Sequence, residues 1–417
     1  MHRRRTEPRR KLRPAGPGRA SAGKGPRHRS ARRGRDRGAG LRVLDGSADR
    51  PPALASARDR AAQLQHLRID PHRLVGQLFV GRLSYHAKAN PFPMYVALER
   101  AARATGRRVH LIQAGWFANA AIETAFRDGA RDFAPSVTAH FLDGRAEDVR
   151  HAIWSAGDLF VSLSDNVQET FGLAPVEAMA AALPSVVSDW NGYKDTVRDG
   201  IDGFRIPTRM APPGAGEELV QRQAAGIDSY DRLIGAASQA IAVDIDAAAQ
   251  AVERLVADPA LRRRFAAAAR ERALGVFDWR VVIAQYQSLW AGLAEARRAG
   301  AEAGAPDAPG TNPWMMDPFR MFANYASHPI TPQDRLTLAS DAPSKLKAML
   351  GSSLAAHCGY ALPTAAEFAS MLDAVAGDGG ATVQTALSTL PAPRREFAWR
   401  GVLWLAKYGI LRIEAPR

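Results

Sequence analysis

The 417-residue chain has one cysteine, Cys358, and no run of 18 consecutive apolar residues. A single thiol excludes an intramolecular disulfide and a zinc site built on several cysteines, and it is typical of a reducing compartment. Without a long apolar run, the sequence predicts no membrane-spanning helix. The N-terminus is basic but lacks the apolar segment of a secretory signal. We therefore expect a cytoplasmic protein, with peripheral contact at the inner face of the membrane left open.

Metal-ligand patterns are also missing. None of the ten histidines belongs to an H-E-x-x-H motif or to a paired Cys/His spacing. The sequence therefore predicts no metal site and no cofactor.

Charge is concentrated in one segment. The net charge is +14, but residues 1–40 hold 15 Lys/Arg and 2 Asp/Glu, so the rest of the chain is nearly neutral. This basic arm has almost no aliphatic or aromatic side chains, and we predict it to be disordered because it cannot bury enough apolar surface. One interpretation is non-specific contact with polyanions or anionic membrane. The interpretation that we favour is a mis-started or frame-shifted stretch, since GC-rich DNA encodes Arg, Gly, Ala and Pro in almost any frame.

After this arm, strand-like and helix-like segments alternate. Apolar strands, each followed by a helical pattern, predict an α/β fold with one doubly wound parallel sheet and right-handed crossovers. The predicted strands are 77–83, 108–115, 137–142, 158–164, 184–189 and 203–207.

Composition sets the domain boundaries. A Pro/Gly/Gln-rich stretch over 210–228 predicts a loop, and 244–300 reads as three helices. The predicted parts are a disordered basic arm over 1–40, a linker and lead-in helix over 41–73, an α/β domain over 74–300, a linker over 301–313 and a mainly helical region over 314–417 with one strand at 411–414.

Three predicted loops place polar residues at the carboxyl edge of the sheet, where ligands bind in open α/β folds. These residues are Arg82 and Lys88 after the first strand, Glu169, Phe171, Gly172, Leu173 and Glu177 after the fourth, and Asp189, Asn191 and Gly192 after the fifth.

A diphosphate would account for the first two loops together. The guanidinium of Arg82 suits phosphate oxygens and Lys88 adds a point charge. The backbone N–H groups of Gly172 and Leu173, at a helix start, form an anion site. Glu177, one turn into that helix, is placed to accept hydrogen bonds from ribose hydroxyls. Glu169 would then lie near whatever group the diphosphate carries.

Two segments, FVGRLSYHAK and ETFGLAPVEAMAAALPSVVSDWNGYKDTVRDGIDGF, resemble the donor-binding half of the retaining GT-B glycosyltransferases of family 4. The family pattern is E-x-F-G-x-x-x-x-E-A-M-A with a G-R-L…K loop upstream. The resemblance covers about residues 74–298, including a D-P-x-L-R…F-x-W tail. It implies a Rossmann-like donor domain and a hexosyltransferase of glycan biosynthesis that uses a nucleotide diphosphate sugar and a glycan or lipid-linked acceptor, without a metal.

The same resemblance assigns roles to individual positions. His86, between the two basic residues, either contacts the donor or is an exposed loop histidine. The implied roles are diphosphate binding by Arg82, Lys88, Gly172 and Leu173, ribose binding by Glu177, donor-sugar binding by Glu169 and Phe171, and catalysis by Glu169.

The sequence also differs from the family pattern, and each difference leads to an expectation about the protein. Thr170 and Ala182 stand where the family has glycine, and we expect both to narrow the donor pocket. A GT-B enzyme also has an N-terminal acceptor domain of comparable size, whereas only 73 residues precede the donor half here. We expect that domain to be absent or replaced, so that the chain alone binds a nucleotide sugar but transfers sugar poorly.

Two other functions remain open from the sequence. The first is a non-catalytic nucleotide-sugar or polyanion-binding module that combines the basic arm with a winged-helix-like unit over 378–414. Its helix, however, is more simply explained as an amphipathic core helix. The second is a glycan phosphorylase of the same fold, which would need pyridoxal phosphate and for which the sequence has no motif.

Overall fold

The computed structural model describes residues 75–303, 316–377 and 379–414, and these residues belong to one compact unit. The predicted basic arm, the lead-in helix over 58–70 and residues 304–313 of the second linker lie outside the described residues. Within the described parts, every helix is too short or too polar to span a bilayer.

A six-stranded parallel sheet forms the first part of the described chain. Its elements are β1 (Val75–Leu83), α1 (Phe92–Thr105), β2 (Val109–Phe117), α2 (Ala120–Phe133), β3 (Val137–Asp143), α3 (Glu147–Ala156), β4 (Leu159–Ser162), α4 (Leu173–Ala180), β5 (Ser185–Ser188), α5 (Tyr193–Thr196) and β6 (Gly203–Ile206). The strand order is β3-β2-β1-β4-β5-β6, with parallel pairing throughout. This is the Rossmann order, which reverses between β1 and β4. The predicted doubly wound sheet is confirmed.

Burial on both faces explains why these strands are apolar throughout. Successive side chains of a strand point to opposite faces. Leu111 of β2 therefore packs in one cluster with Leu98 of α1, while the next residue, Ile112, packs in another with Ile153 of α3. β4 and β5 are buried along their whole length. The strand–helix alternation in the sequence thus builds a three-layer core.

Three helices follow later in the domain, as predicted. They are α8 (Ile245–Ala257), α9 (Pro259–Arg272) and α10 (Trp279–Ala303), with a π-helical turn at Ala273–Phe277. Asp258 ends α8 and caps α9, because its side chain accepts the N–H groups of Ala260 and Leu261 at 2.8 and 3.0 Å.

The predicted loop over 210–228 is wrong. The structure has β7 (Thr208–Met210), α6 (Glu217–Ala224), α7 (Tyr230–Ser238) and β8 (Ile241–Val243) in this part of the chain. The carboxylate of Asp317 accepts the N–H groups of Gly214 and Gly216, and Arg400 donates to the carbonyl of Ala215 at 3.0 Å. Residues more than a hundred positions away therefore order a stretch that its composition alone describes as a loop.

The C-terminal region, defined here as residues 316–414, is mainly helical, as predicted. Its elements are α11 (Pro318–Met321), β9 (His328–Pro329), β10 (Arg335–Leu338), α12 (Ala342–Leu350), α13 (Ala365–Val375), β11 (Ala381–Thr382), α14 (Val383–Leu387), α15 (Arg395–Lys407) and β12 (Leu411–Glu414). β12 confirms the predicted strand, but it pairs with β10 in a sheet of order β11-β10-β12. β9 pairs with β7 of the first part. β9 and β11 have only two residues each, too few to be recognised from a sequence pattern.

Helix α15 lies in the core of this region. Arg400 and Lys407 are fully buried, as are Val402, Leu403 and Trp404. The core-helix interpretation is confirmed, and the winged-helix-like alternative stays untested.

Candidate functional site

Arg82 lies at the carboxyl end of β1, at the edge of the sheet. One guanidinium nitrogen, Nη2, donates to the carbonyl of Ala87 at 3.0 Å and to Oε1 of Gln168 at 3.4 Å. The planar fork carries five donors in total, and the side chain is half-buried. Arg82 therefore joins the loop after β1 to the loop after β4 and keeps donors for a ligand.

Lys88 and Glu169 form an ion pair between the same two loops. Lys88 is held by a turn in which its N–H donates to the carbonyl of Ser84 at 3.0 Å. The carboxylate of Glu169 is nearly buried, at 6% exposure, whereas the lysine side chain is 32% exposed. A buried carboxylate needs such a partner, and the exposed ammonium places positive charge at the mouth of the site.

Tyr193 of α5 makes the second contact to Glu169. Its hydroxyl lies 3.3 Å from Oε2 of Glu169 and 2.8 Å from Oγ of Ser162. Burial, and then the negative charge of Glu169, raise the pKa of Tyr193 well above its ordinary value. The phenol therefore stays protonated and can donate to the carboxylate.

Gly172 precedes α4 and adopts the left-handed conformation, with φ of 79°. A Cβ at this position would lie 2.2 Å from Cε1 of Tyr193, so no other residue fits without a shift. No side chain caps the N-terminus of α4, and the neighbouring Phe171 and Leu173 are 42% and 61% exposed. The first N–H groups of α4 thus meet the requirement for an anion site at a helix start.

Glu177 lies in the second turn of α4 and is half-buried. Burial raises the pKa of its carboxyl. Among the described residues its carboxylate has no ion-pair or hydrogen-bond partner, and its role in ribose binding stays a prediction. Glu177 lies near the same edge of the sheet as Arg82, because α4 begins after the carboxyl end of β4.

The turn after β5 supports the loop that carries Glu169. The side-chain amide of Asn191 donates to the carbonyls of Glu169 and Thr170 at 3.1 and 2.9 Å. A Cβ on Gly192 would lie 2.4 Å from the Thr170 carbonyl oxygen. The sequence placed Asn191 and Gly192 at this edge, and the structure brings both against the backbone of the Glu169 loop.

Three expectations about single residues turn out differently or remain open. His86 is half-buried rather than exposed, its ring nitrogen lies 3.4 Å from Oγ of Ser84, and burial lowers its pKa.

Ala182 lies beyond the C-terminal end of α4, just before β5 starts, and so stands at the opposite edge from the site. Its φ of 58° is a left-handed conformation that glycine would adopt without strain, and it does not narrow the donor pocket. Thr170 is exposed beside Asn191, so its effect on the pocket stays a prediction.

Sequence reasoning missed three residues that contact the site, namely Gln168, Tyr193 and Ser162. Tyr193 directly follows Gly192, so its proximity to a predicted loop was the available signal. Gln168 and Ser162 carry no such signal, because neither residue type nor spacing distinguishes them from other polar residues near a strand end.

A cavity of about 420 Å³ lies elsewhere in the molecule. It is bordered by β7, the start of α8 and β12, and its walls include Arg209, Asp244, Lys345 and Arg412. None of the predicted site residues lines it. In the described residues there is also no group of three or more His, Cys, Asp or Glu side chains placed to hold a metal ion.

A parallel sheet of this strand order, with helices on both faces, is a Rossmann-like α/β fold, in which ligands bind at the carboxyl edge. Residues 76–223 match the family described as glycosyl transferases group 1. The match includes both motif segments, so the resemblance seen in the sequence motifs is confirmed over this part of the chain.

Curated relatives and solved structures are similar over parts of the chain. An alpha-maltose-1-phosphate synthase from Mycobacterium tuberculosis is 29% identical over 210 residues, 46% of each chain. The corresponding synthase from Mycolicibacterium smegmatis is 32% identical over 127 residues, 30% of this chain and 25% of its own. The chain thus spans at most about half the length of these relatives.

Among solved structures, a sucrose-phosphate synthase from Thermosynechococcus elongatus is 20% identical with a TM-score of 0.37, over 57% of this chain and 49% of its own. The HepE protein from Anabaena in complex with UDP is 20% identical with a TM-score of 0.38, over 57% and 53%.

Proposed function

We propose that the α/β domain binds a nucleotide diphosphate sugar and supplies the donor side of a retaining glycosyltransferase. The observation that carries this proposal is the convergence of Arg82, Lys88, Glu169 and the uncapped start of α4 at one edge of the sheet. The match to the group 1 family supports it independently.

The diphosphate would lie between the loop after β1 and the start of α4. Arg82 would grip it with the donors left free by Gln168 and Ala87, and Lys88 would add a charge-assisted bond. The N–H groups of Gly172 and Leu173 would face the phosphate nearer α4. Such donors also stabilise the diphosphate as it leaves with a growing negative charge, which is the electrostatic work that a metal ion does in other transferases.

Glu169 would face the donor sugar and act as the catalytic carboxylate. Because Lys88 and Tyr193 already contact this carboxylate, its charge is partly balanced and a diphosphate can approach it without strong repulsion. Phe171, beside it and exposed, would border the sugar, and Glu177 would accept hydrogen bonds from the ribose. The curated relatives are named for making α-maltose 1-phosphate, so a hexose is the transferred unit that we propose.

Transfer also needs an acceptor hydroxyl held against the anomeric carbon, and orientation of this kind supplies up to about 7–11 kcal/mol of a barrier. The described residues contain one Rossmann-like sheet. We propose that a glycan or lipid-linked acceptor is held with the help of a surface outside these residues, so that donor binding is measurable in this chain without efficient transfer.

Calorimetry with UDP, ADP and GDP tests the donor site. The Arg82→Ala variant removes the guanidinium, and we expect binding of the preferred nucleotide to weaken by about 1.5–3 kcal/mol, or roughly 10- to 150-fold. The matched control is Arg131→Ala, an exposed arginine on α2 that pairs with Asp128 and Asp132, and it should bind like the wild type. If no nucleotide binds the wild type below about 1 mM, or if the two variants bind alike, the donor-site assignment is wrong.

A further inference from the structure

The C-terminal region contacts the turn after β5 through a short segment, residues 324–327. Lys194 donates to the carbonyls of Asn324 and Ala326 at 3.0 and 2.9 Å. The backbone N–H of Asn191 donates to the carbonyl of Tyr325 at 3.0 Å. We call residues 324–327 the brace, and residues 189–194 the β5 turn.

A further hydrogen bond fixes the other end of the brace. The hydroxyl of Ser327 donates to Oδ2 of Asp189 at 2.6 Å, and the ring of Tyr325 packs edge-on against that of the buried Trp190, with centroids 5.5 Å apart. The brace therefore holds the β5 turn at both of its ends.

The β5 turn also holds the loop that carries Glu169, which we call the Glu169 loop. The side chain of Asn191 binds the carbonyls of Glu169 and Thr170, and Tyr193 reaches the carboxylate of Glu169. Asn191 itself has a φ of 37°, a left-handed conformation that asparagine tolerates better than most residues other than glycine. A continuous path of contacts thus leads from the brace to the carboxylate of Glu169.

We propose that the brace positions Glu169, so that the C-terminal region is a working part of the donor site and not an independent module. Lys194 is the main positioning residue, because its ammonium group donates to two carbonyls of the brace. No other side chain of the β5 turn does so. Charge-assisted bonds of this kind are about twice as strong as neutral ones. The expected effect on binding of a nucleotide sugar rests on the proposed function. The expected effect on backbone exchange in the loop that carries Glu169 does not.

Hydrogen–deuterium exchange of the ligand-free protein tests whether the brace holds the loop that carries Glu169. In Lys194→Met, which keeps the length of the side chain but removes its donors, we expect peptides covering residues 166–173 to exchange about tenfold faster, with strand β2 unchanged. Lys194→Arg, which keeps donors, should restore slow exchange. Lys345→Met is the matched control, since Lys345 also binds a backbone carbonyl of the C-terminal region, that of Gly409 at 3.3 Å, away from the site. Unchanged exchange at 166–173 in Lys194→Met would overturn the proposal, as would faster exchange in the control.

Binding of UDP-glucose and ADP-glucose provides the functional readout. For whichever of the two the wild type binds, we expect Lys194→Met to weaken affinity about three- to tenfold and Lys345→Met to leave it unchanged. Should the wild type bind neither, the proposed function fails while the exchange experiment still decides on the brace. If the wild type binds and Lys194→Met binds equally well, the brace does not position the site.

Discussion

At the scale of the residue, Gly172 illustrates how tightly the site loop is packed. Its left-handed backbone and its contact with the ring of Tyr193 leave no space for a side chain. The same tyrosine donates to Glu169, so a shift of its ring to admit a methyl group would also move the hydrogen bond to the carboxylate. One glycine therefore connects the start of α4 to the geometry of the candidate catalytic group.

The Gly172→Ala substitution should lower the free energy of unfolding by at least about 2 kcal/mol, because it adds left-handed strain to a steric overlap. Gly275→Ala is the control, since a Cβ at Gly275 meets nothing within 4 Å, and it should leave stability unchanged or slightly raised. Urea unfolding of the two variants measures the difference. Equal stability would mean that the loop adapts and that Gly172 is not required by packing.

At the scale of the element, helix α13 shows how the C-terminal region is stabilised. Thr364 and Glu367 form a capping box, in which each side chain accepts the other's backbone N–H, at 3.3 and 2.7 Å. Arg394 adds two bonds to the same carboxylate, at 2.9 and 2.5 Å. These bonds, with that of Arg394 as the largest cause, lower the pKa of Glu367 from 4.5 to about 2.

A carboxyl whose pKa is lower in the folded than in the unfolded protein stabilises the fold at pH values above the unfolded-state pKa. This stabilisation is lost as the pH falls towards the folded-state pKa. We therefore expect Glu367→Gln to cost about 1–3 kcal/mol at pH 7, with the difference from the wild type shrinking as the pH drops below about 4.5 towards 2. Denaturant unfolding at pH 7 and pH 3.5 measures this. The exposed Glu253 on α8 offers the control, Glu253→Gln, which should change stability by less than about 0.5 kcal/mol at either pH. A cost that is equal at both pH values would contradict the role of the ionised carboxylate.

At the scale of the whole molecule, a buried ion pair joins the C-terminal region to the Rossmann-like sheet. Lys407, the last residue of α15, contacts Asp165 in the loop after β4, and both side chains are 1% exposed. The lysine also donates to the carbonyls of Ser238 and Ile241 at 2.8 and 3.2 Å. Asp165 accepts the N–H of Asn90 at 3.1 Å, so the pair connects α15 with two loops of the carboxyl edge.

Removing one partner of a buried pair leaves the other charge without compensation. Lys407→Met should therefore cost about 3–5 kcal/mol in guanidinium unfolding, and adding Asp165→Asn should recover part of this loss. Lys345→Met removes a partly exposed pair with Asp341 and a long hydrogen bond to the carbonyl of Gly409, and it should cost no more than about 1 kcal/mol. A loss below 1 kcal/mol for Lys407→Met, or no recovery in the double variant, would argue against this pair as the connection between the two parts.

Much of the fold was predictable because its signals are local. The six strands are apolar runs in the sequence, each followed by a helical or loop pattern, and Asp258 marks a helix end by its residue type alone. The motif loops were also predictable, since parallel strands bring their carboxyl ends to one edge whatever the details of packing. The short strands β9, β10 and β11 and the helix α6 were not, because their hydrogen bonds and packing partners lie far away in sequence.

The sequence by itself determined a doubly wound sheet and the residues at its carboxyl edge. Only the tertiary structure decided that Glu169 is paired with Lys88 and Tyr193 and that residues 324–327 contact the β5 turn. The physical reason is that periodicity and helix capping act over a few residues. The contacts of Glu169 instead join residues 22 to 81 positions apart, and those of Lys194 with the brace join residues at least 130 positions apart. No local pattern specifies which of these segments meet.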